Sequence, residues 1–243
     1  MRMVKVDIVI PVYNEEVNLE KNINILTEWL KNNFKYEWIV TIADNGSTDN
    51  TKKIAKDLDM KNKKIILKEI TSKGRGIALR ESWLSSTSDI CAFMDIDLST
   101  ELEYLNEIIY PIVELECEIC CGSRWMSSSN VKRGLFRGIL SWSYNFILQT
   151  TLGLKIKDSQ IGFKAIKTDT AKKVIPLIKD NEWFFDTELL LISQKNDLKI
   201  KQIPVIWIDH PKSTVVVLKT VKMFLRNVWR MKKDGIPLLT NKN

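Results

Sequence analysis

Histidine is almost absent from this chain: His210, in DHPKS, is the only one in 243 residues. It has no partner at metal-ligand spacing, so it reads as a surface or internally satisfied residue. Cysteine is scarce too. Cys91, Cys117, Cys120 and Cys121 include no second Cys/His pair at zinc-finger spacing, and they read as buried free thiols in a reducing compartment. There is no run of 18 or more strongly apolar residues. The stretch from Gly138 to Leu154 lacks charge but carries Ser, Asn, Gln and Thr, which makes a poor membrane span. The N-terminus, MRMVKVDIVI, runs straight into a strand pattern, so no signal peptide is expected. Acidic residues are missing between Pro211 and Lys233. That segment holds Lys212, Lys219, Lys222, Arg226, Arg230, Lys232 and Lys233, equal to the whole net charge of +7. The remaining chain is balanced, which excludes a diffuse nucleic-acid surface.

The composition, 44% hydrophobic and 28% charged, is that of a globular chain able to bury a core. Strand patterns at Val4–Val12, Trp38–Ala43, Lys64–Ile70 and Ile90–Asp95 alternate with helical patterns at Glu15–Lys31, Asp49–Leu58 and Gly76–Ser85. Such alternation predicts an α/β fold with a mostly parallel, doubly wound sheet flanked by helices. The second half is less regular. Helices are expected over Leu102–Leu115, Gly134–Leu152, Glu182–Gln194 and Thr214–Lys233, with strands at Ile119–Gly122, Gly162–Ile166 and Ile200–Ile208. No repeat, low-complexity tract or linker divides the chain. One domain over 1–210 and a basic amphipathic segment over 211–243 are expected.

Ligands of doubly wound sheets bind at the carboxyl ends of the strands. Here those ends read PVYNEE, ADNGSTD and DIDLST. In the last, Asp95 and Asp97 leave an extended chain on one side. Taken alone the pair reads first as a solvated turn, but two such carboxylates also suit Mg2+ or Mn2+ serving a phosphate-bearing substrate. In ADNGSTD, Gly46 permits a tight turn, Asp49 reads as a helix N-cap, and Asp44 is left to accept hydrogen bonds from a nucleobase or ribose. In KGRG, Lys73 and Arg75 stand with two glycines at a helix start, a pattern suited to phosphate oxygens or to a basic turn.

As an ordered set, PVYNEE, DNGSTD, KGRG and DID resemble the family 2 glycosyltransferases, which have the GT-A fold. The second half, with GSR at Gly122–Arg124, DSQIGFKA at Asp158–Ala165, WFFDTELL at Trp183–Leu190 and IPVIWID at Ile203–Asp209, resembles the polyprenyl-phosphate sugar synthases. That subgroup includes the dolichyl-phosphate mannose and glucose synthases. The resemblance implies an inverting enzyme that moves a hexose, glucose or mannose, from a UDP- or GDP-sugar to a lipid phosphate. It implies nucleotide-sugar binding by Pro11, Tyr13, Glu15, Asp44, Asn45, Lys73, Arg75 and Asp95, and a Mg2+ or Mn2+ ion on Asp95 and Asp97. Arg124 would act with these two acids in catalysis. Arg124, Arg133, Arg137 and Gln160 would meet the acceptor phosphate. Two positions depart from the family pattern. Asn45 replaces a second acid, which softens ribose or base contacts, and Ile161 stands where many members have Cys, a change read as packing.

An ionised phosphate acceptor needs no general base, whereas a hydroxyl acceptor would require one, with Asp158 or Asp186 as candidates. On a helical wheel Lys219, Lys222, Arg226, Arg230 and Lys233 share one face, and Leu218, Val221, Phe224, Leu225, Val228 and Met231 cover much of the rest. This pattern suits either an interfacial helix over anionic lipid or a terminal helix packed on the domain. With the 134–152 helix as a second contact, peripheral attachment at the cytoplasmic face of a membrane is expected. The competing readings are a soluble transferase acting on a glycan hydroxyl, a sugar nucleotidyltransferase, and a non-catalytic sugar-nucleotide-binding partner. The second lacks its glycine-rich arginine loop after strand one. Intact Asp95 and Asp97 speak against the third.

Overall fold

A computed structural model describes the backbone of residues 2–132, 135–208 and 217–239, and their side chains apart from 132, 135–137 and 217–219. In chain order the elements are β1 (Lys5–Val12), α1 (Leu19–Asn33), β2 (Glu37–Asp44), α2 (Thr51–Lys61), β3 (Ile65–Glu69), α3 (Arg75–Ser85), β4 (Ile90–Met94), α4 (Tyr104–Val113) and β5 (Ile119–Ser123). There follow β6 (Asn130–Lys132), α5 (Leu135–Leu152), β7 (Phe163–Lys167), α6 (Thr168–Val174), α7 (Phe185–Lys195), β8 (Ile200–Pro204), β9 (Ile206–Ile208) and α8 (Val217–Asp234).

Seven strands form one sheet in the order β3-β2-β1-β4-β7-β5-β8. Every neighbouring pair is parallel except those made by β7, which runs antiparallel to both β4 and β5. This single inversion matters for the site. The carboxyl ends of β1, β2, β4 and β5 share one edge, and β7 begins at that edge, with Phe163 opposite Met94. The segment leading into β7 therefore arrives beside the strand-end acids.

Both faces of the sheet are covered, which is why the central strands are apolar on successive residues. On one face Ile8, Ile10 and Ala92 meet Leu19, Ile23, Leu26 and Leu30 of α1 and Ile108 and Ile112 of α4. The α1 residues recur every three or four positions, a helical stripe. Truncating one such buried leucine typically costs about 2–5 kcal/mol. On the other face Val9, Cys91 and Phe93 meet Leu79 and Trp83 of α3 and Phe185 and Leu189 of α7. All four cysteines are free and buried, and burial pushes the Cys91 and Cys121 thiols up to about 12.

Several expectations are corrected by the fold. Helix α1 starts at Leu19 rather than Glu15, because residues 13–18 form a loop that meets the turn after β2; Val17 is 79% exposed. Helix α2 starts at Thr51, with Asn50 at the cap position, while Asp49 accepts hydrogen bonds from the Thr51 and Glu16 amides. The strand expected over 200–208 breaks at Val205. Its first part joins the main sheet, and its second pairs with β6, a short strand the sequence did not reveal. Pro204, with no amide hydrogen to donate, ends the first part. Helix α6 was also unforeseen. The lone His210 lies outside the described residues.

One buried carboxylate tests the core. Asp7 on β1 is 3% exposed and accepts hydrogen bonds from the Thr41 hydroxyl at 2.7 Å and the Ser86 hydroxyl at 2.8 Å. Burial outweighs these donors and raises its pKa. The folded protein thus keeps this proton at pH values where the unfolded chain releases it. Asp7 therefore costs stability as pH rises through that window. Urea titrations should show that Asp7→Asn gains stability over wild type at pH 7, and that the gain shrinks as the pH falls toward the ordinary carboxylate range.

Candidate active site

The loop after β1 and the turn after β2 are laced together. Asn14 accepts from the Thr48 amide at 2.8 Å and donates its own amide to the Ser47 hydroxyl at 3.0 Å. The Glu15 amide donates to the Thr51 hydroxyl at 2.7 Å, and Glu16 accepts from the Asn50 amide and side chain. Asn14 holds φ +56°, a conformation asparagine tolerates better than most residues. This lacing sets Tyr13 and Glu15 at the edge where β1 and β2 end. Pro11 sits one residue inside β1, opposite Ala43.

Asp44 and Asn45 occupy the base of that turn and are 3% and 5% exposed. Asp44 accepts from the Ser47 amide at 3.2 Å. Asn45 is a strut. Its side-chain NH2 donates to the Val12 carbonyl at 2.9 Å, and its side-chain oxygen accepts from the Gly74 amide at 3.2 Å. The sequence reading of Asn45 as a softened ligand contact misses this role. An aspartate there has no hydrogen to give Val12.

Asn45 thereby ties the KGRG loop to the sheet edge. Lys73 places its ammonium 3.7 Å from the centre of the Tyr13 ring, a cation–π contact. Gly76 is required by close packing. A Cβ there would lie 2.7 Å from the Asn181 carbonyl carbon and from the Phe185 Cβ. The Ile77 amide, in the first turn of α3, donates to the Asn181 carbonyl at 2.9 Å. The glycines thus bring the loop at 180–182 against α3, and Arg80 fastens it through Asn181 and the Ile175 and Ile178 carbonyls.

Asp95 and Asp97 follow β4. Asp97 is exposed, and one of its oxygens accepts the Ser99 amide at 3.0 Å. Asp95 is half exposed, and its amide bonds the Gly162 carbonyl at 3.2 Å. A Cβ on Gly162 would come within 1.8 Å of an Asp95 oxygen, so only glycine leaves room for this carboxylate. Desolvation raises the Asp95 pKa; Asp97 and Asp186 push it further up, while Arg75 and Lys164 oppose them. Glu15 is raised by burial and then by the charges of Asp97, Asp49 and Asp95. Three carboxylates thus repel one another at one edge, an arrangement a divalent cation relieves. Among the described residues no cluster of three or more His, Cys, Asp or Glu is arranged as a complete metal cage. Two oxygen donors with open positions fit Mg2+ or Mn2+ shared with a phosphate ligand.

Behind the acids lies a buried charge cluster that the sequence reading did not assemble. Arg75 extends between the rings of Phe93 and Trp183, 4.9 Å and 4.8 Å from their centroids. Its Nη2 is 3.8 Å from Asp95 and 3.6 Å from Asp186. Lys164, the second residue of β7, is fully buried and reaches Asp186 at 2.9 Å. A lysine inside the apolar run FKAI and an aspartate inside WFFDTELL were the available signals.

The DSQIGFKA segment positions this edge residue by residue. Asp158 takes Arg124 in a two-pronged pair, at 2.7 Å to Nε and 2.8 Å to Nη2, and also accepts the Arg124 amide at 3.0 Å. Arg124 lies over the Trp207 ring at 5.1 Å. Ser159 bonds Asn145, and the Gln160 side chain donates to the Thr187 hydroxyl at 2.8 Å. Ile161 is fully buried in the core. Arg133 and the side chain of Arg137 lie outside the described residues. The structure thus brings Tyr13, Glu15, Lys73, Arg75, Asp95 and Asp97 to one edge and sets Arg124 on Asp158.

Asp158 is fully buried, and the Arg124 charge and hydrogen bonds more than offset its desolvation, so its pKa is lowered. Asp158→Asn removes the buried acid that takes Arg124 in a two-pronged pair and should cost about 3–5 kcal/mol in urea unfolding at pH 7. Asn45→Asp sets two acceptors against each other at Val12 and should cost about 1–3 kcal/mol in the same assay.

A family model for Glycosyl transferase family 2 matches residues 7–175. Over 234 residues the chain is 28% identical to Glycosyltransferase AglD of Haloferax volcanii, with 94% of this chain covered but only 38% of that protein. Over 249 residues it is 29% identical to the dolichyl-phosphate beta-glucosyltransferase of Dictyostelium discoideum, covering 93% of this chain and 76% of that one. Among solved structures it resembles glucosyl-3-phosphoglycerate synthase from Mycobacterium tuberculosis in complex with Mn2+, uridine diphosphate and phosphoglyceric acid. That match has a TM-score of 0.70 at 18% identity and covers 96% and 80% of the two chains. With its mostly parallel sheet and strand-end acids of the GT-A type, this chain belongs to glycosyl transferase family 2 and is a glycosyltransferase.

Proposed function

We propose that this enzyme transfers glucose from UDP-glucose to a polyprenyl or dolichyl phosphate, with inversion at the anomeric carbon, while attached to a membrane surface. The observation that carries this reading is the state of Asp158 and Asp186. A hydroxyl acceptor needs a base to take its proton. Asp158 is occupied by three hydrogen bonds from Arg124, and Asp186 is 1% exposed beside Lys164. Neither is placed to receive a proton from an acceptor. A lipid phosphate is already ionised and attacks without one. Relatives named dolichyl-phosphate beta-glucosyltransferase, from Dictyostelium discoideum to Homo sapiens, support glucose over mannose and a lipid phosphate over a glycan.

In this reading Tyr13, Asp44 and Glu15 flank the nucleoside, and Asp44 is held in place by the Ser47 amide. Asp95 and Asp97 would hold Mg2+ or Mn2+, which supplies charge to the departing diphosphate. Lys73 and Arg75 add positive charge on the same edge. Such charges accelerate the reaction because the leaving group becomes more negative in the transition state. Arg124, Arg133, Arg137 and Gln160 would serve the acceptor phosphate.

The lipid would reach the site along α5 and α8, which pack together through the stacked rings of Tyr144 and Phe224, 4.3 Å apart. The packing revises the helical-wheel picture. Arg230 turns inward to pair with Glu188, and Val228 and Met231 are buried. The outer face of α8 carries Val221, Leu225 and Trp229 beside Lys222 and Arg226, and that of α5 carries Ile139, Trp142 and Phe146. Trp229 and Ile139 are 62% and 63% exposed. Among the described residues no helix is long and apolar enough to cross a membrane. In this reading α8 serves as a surface contact whose inner face packs on the rest of the domain.

Incubated with Mn2+, a short polyprenyl phosphate and a nucleotide sugar, the protein should release UDP from UDP-glucose but no GDP from GDP-mannose, and only when the lipid phosphate is present. Asp97→Ala should lower this turnover at least about 100-fold with the melting temperature unchanged. Turnover with a glycan in place of the lipid phosphate would overturn the acceptor assignment. In flotation with anionic liposomes, the Trp142→Ala/Trp229→Ala variant should bind at least about tenfold more weakly. Flotation equal to wild type would remove these helices from the membrane contact.

A further inference from the structure

Arg75 is shared between two acids. Its side chain is 9% exposed, and its Nη2 stands 3.6 Å from Asp186 and 3.8 Å from Asp95. Neither Nε nor Nη2 makes a hydrogen bond, so the guanidinium is held by charge and by the rings of Phe93 and Trp183. Asp186 is likewise held by charge alone. Both its oxygens lack an aligned hydrogen bond, although Lys164 lies 2.9 Å away. The two cations flank Asp186, and both lie over the same Phe93 ring, Lys164 at 5.4 Å from its centroid. A buried guanidinium needs a counter-charge. If Asp186 did not supply one, Asp95 is the next carboxylate within reach.

We propose that Asp186 is a positioning residue: it competes with Asp95 for Arg75 and so keeps the Asp95 carboxylate available to the divalent cation. The proposal rests on the reading of Asp95 and Asp97 as the metal site. Asp186 touches neither substrate nor metal. It acts by competing with Asp95 for one guanidinium, and Lys164 keeps it in place. Nearby charges matter here because the site is partly desolvated, where a charge at 4 Å is felt several times more strongly than in water. A merely structural acid would stabilise the fold without altering metal affinity, which separates the two roles experimentally.

The test is Mn2+ binding to the full chain without nucleotide, read from the loss of the free-ion electron paramagnetic resonance signal, with thermal melts to report folding. Asp186→Asn keeps the shape and removes the charge; it should raise the Mn2+ dissociation constant about tenfold as Arg75 closes on Asp95. Adding Arg75→Gln to that variant should restore near wild-type affinity, and Asp186→Glu should retain most of it. Arg75→Gln alone should bind Mn2+ as tightly as wild type or more tightly, which keeps the test decisive if Asp186→Asn does not fold. Asp95→Asn is the control for the metal site. If Asp95→Asn weakens binding while folded Asp186→Asn does not, or if Arg75→Gln alone weakens it, the positioning role is overturned and the metal site stands. If Asp95→Asn leaves Mn2+ affinity unchanged, the metal reading fails and this proposal with it.

Discussion

A buried lysine near the start of an inner strand is the constraint around which the strand-end edge is organised. Lys164 is fully buried between β4 and β5, where an unpaired ammonium could not persist. Asp186 neutralises it, which fixes the start of α7 against the sheet. Trp183, just before α7, then closes over Arg75, and Arg75 reaches back toward Asp95. Breaking a buried ion pair by removing one partner is costly, so the elements that carry these residues are locked in mutual register. The arrangement links α3, β4, β7 and α7 through charge rather than through apolar contact alone.

Hydrogen bonds from a few polar residues hold the remaining loops. Asn45 joins the ends of β1 and β2 to the KGRG loop, and Asn14 laces the loop after β1 to the turn after β2. Arg124 and Asp158 join the end of β5 to the segment before β7. Functional loops are commonly less ordered than the elements they connect. Here each is anchored to a strand end by at least one charged or amide group, so the acids and cations keep their spacing without a bound ligand. On the proposed function, the charges that would meet a nucleotide diphosphate sugar are organised before it arrives, which is how an enzyme avoids reorganising its dipoles during the reaction.

The same economy of residues extends to α8. Its inner face is integrated with the domain through Phe224, Asn227, Val228 and Arg230, the last on Glu188 of α7. Its outer face is left with an apolar ridge flanked by cations. Helix α7 thus carries two neighbouring acids with different duties: Asp186 faces the charge cluster and Glu188 anchors the basic helix.

The sequence by itself determined the alternation of strands and helices in the first half, the placement of acids and turn formers at strand ends, and the membership implied by their order. These follow from local periodicity and from motifs of a few residues, which contain their own information. Asp95 and Asp97 stood out in the sequence because two acids directly after an apolar strand are unusual within eight residues of chain. Tertiary structure alone decided which charges pair. Asp158 finds Arg124, Lys164 finds Asp186, and Gly162 lies against Asp95, all because β7 inserts antiparallel between β4 and β5. Arg230 sat on the basic side of a helical wheel yet turns to Glu188. A charged residue in a sequence looks the same whether a ligand, the solvent or another side chain will neutralise it. Only the fold brings distant partners within a few ångströms and makes that choice.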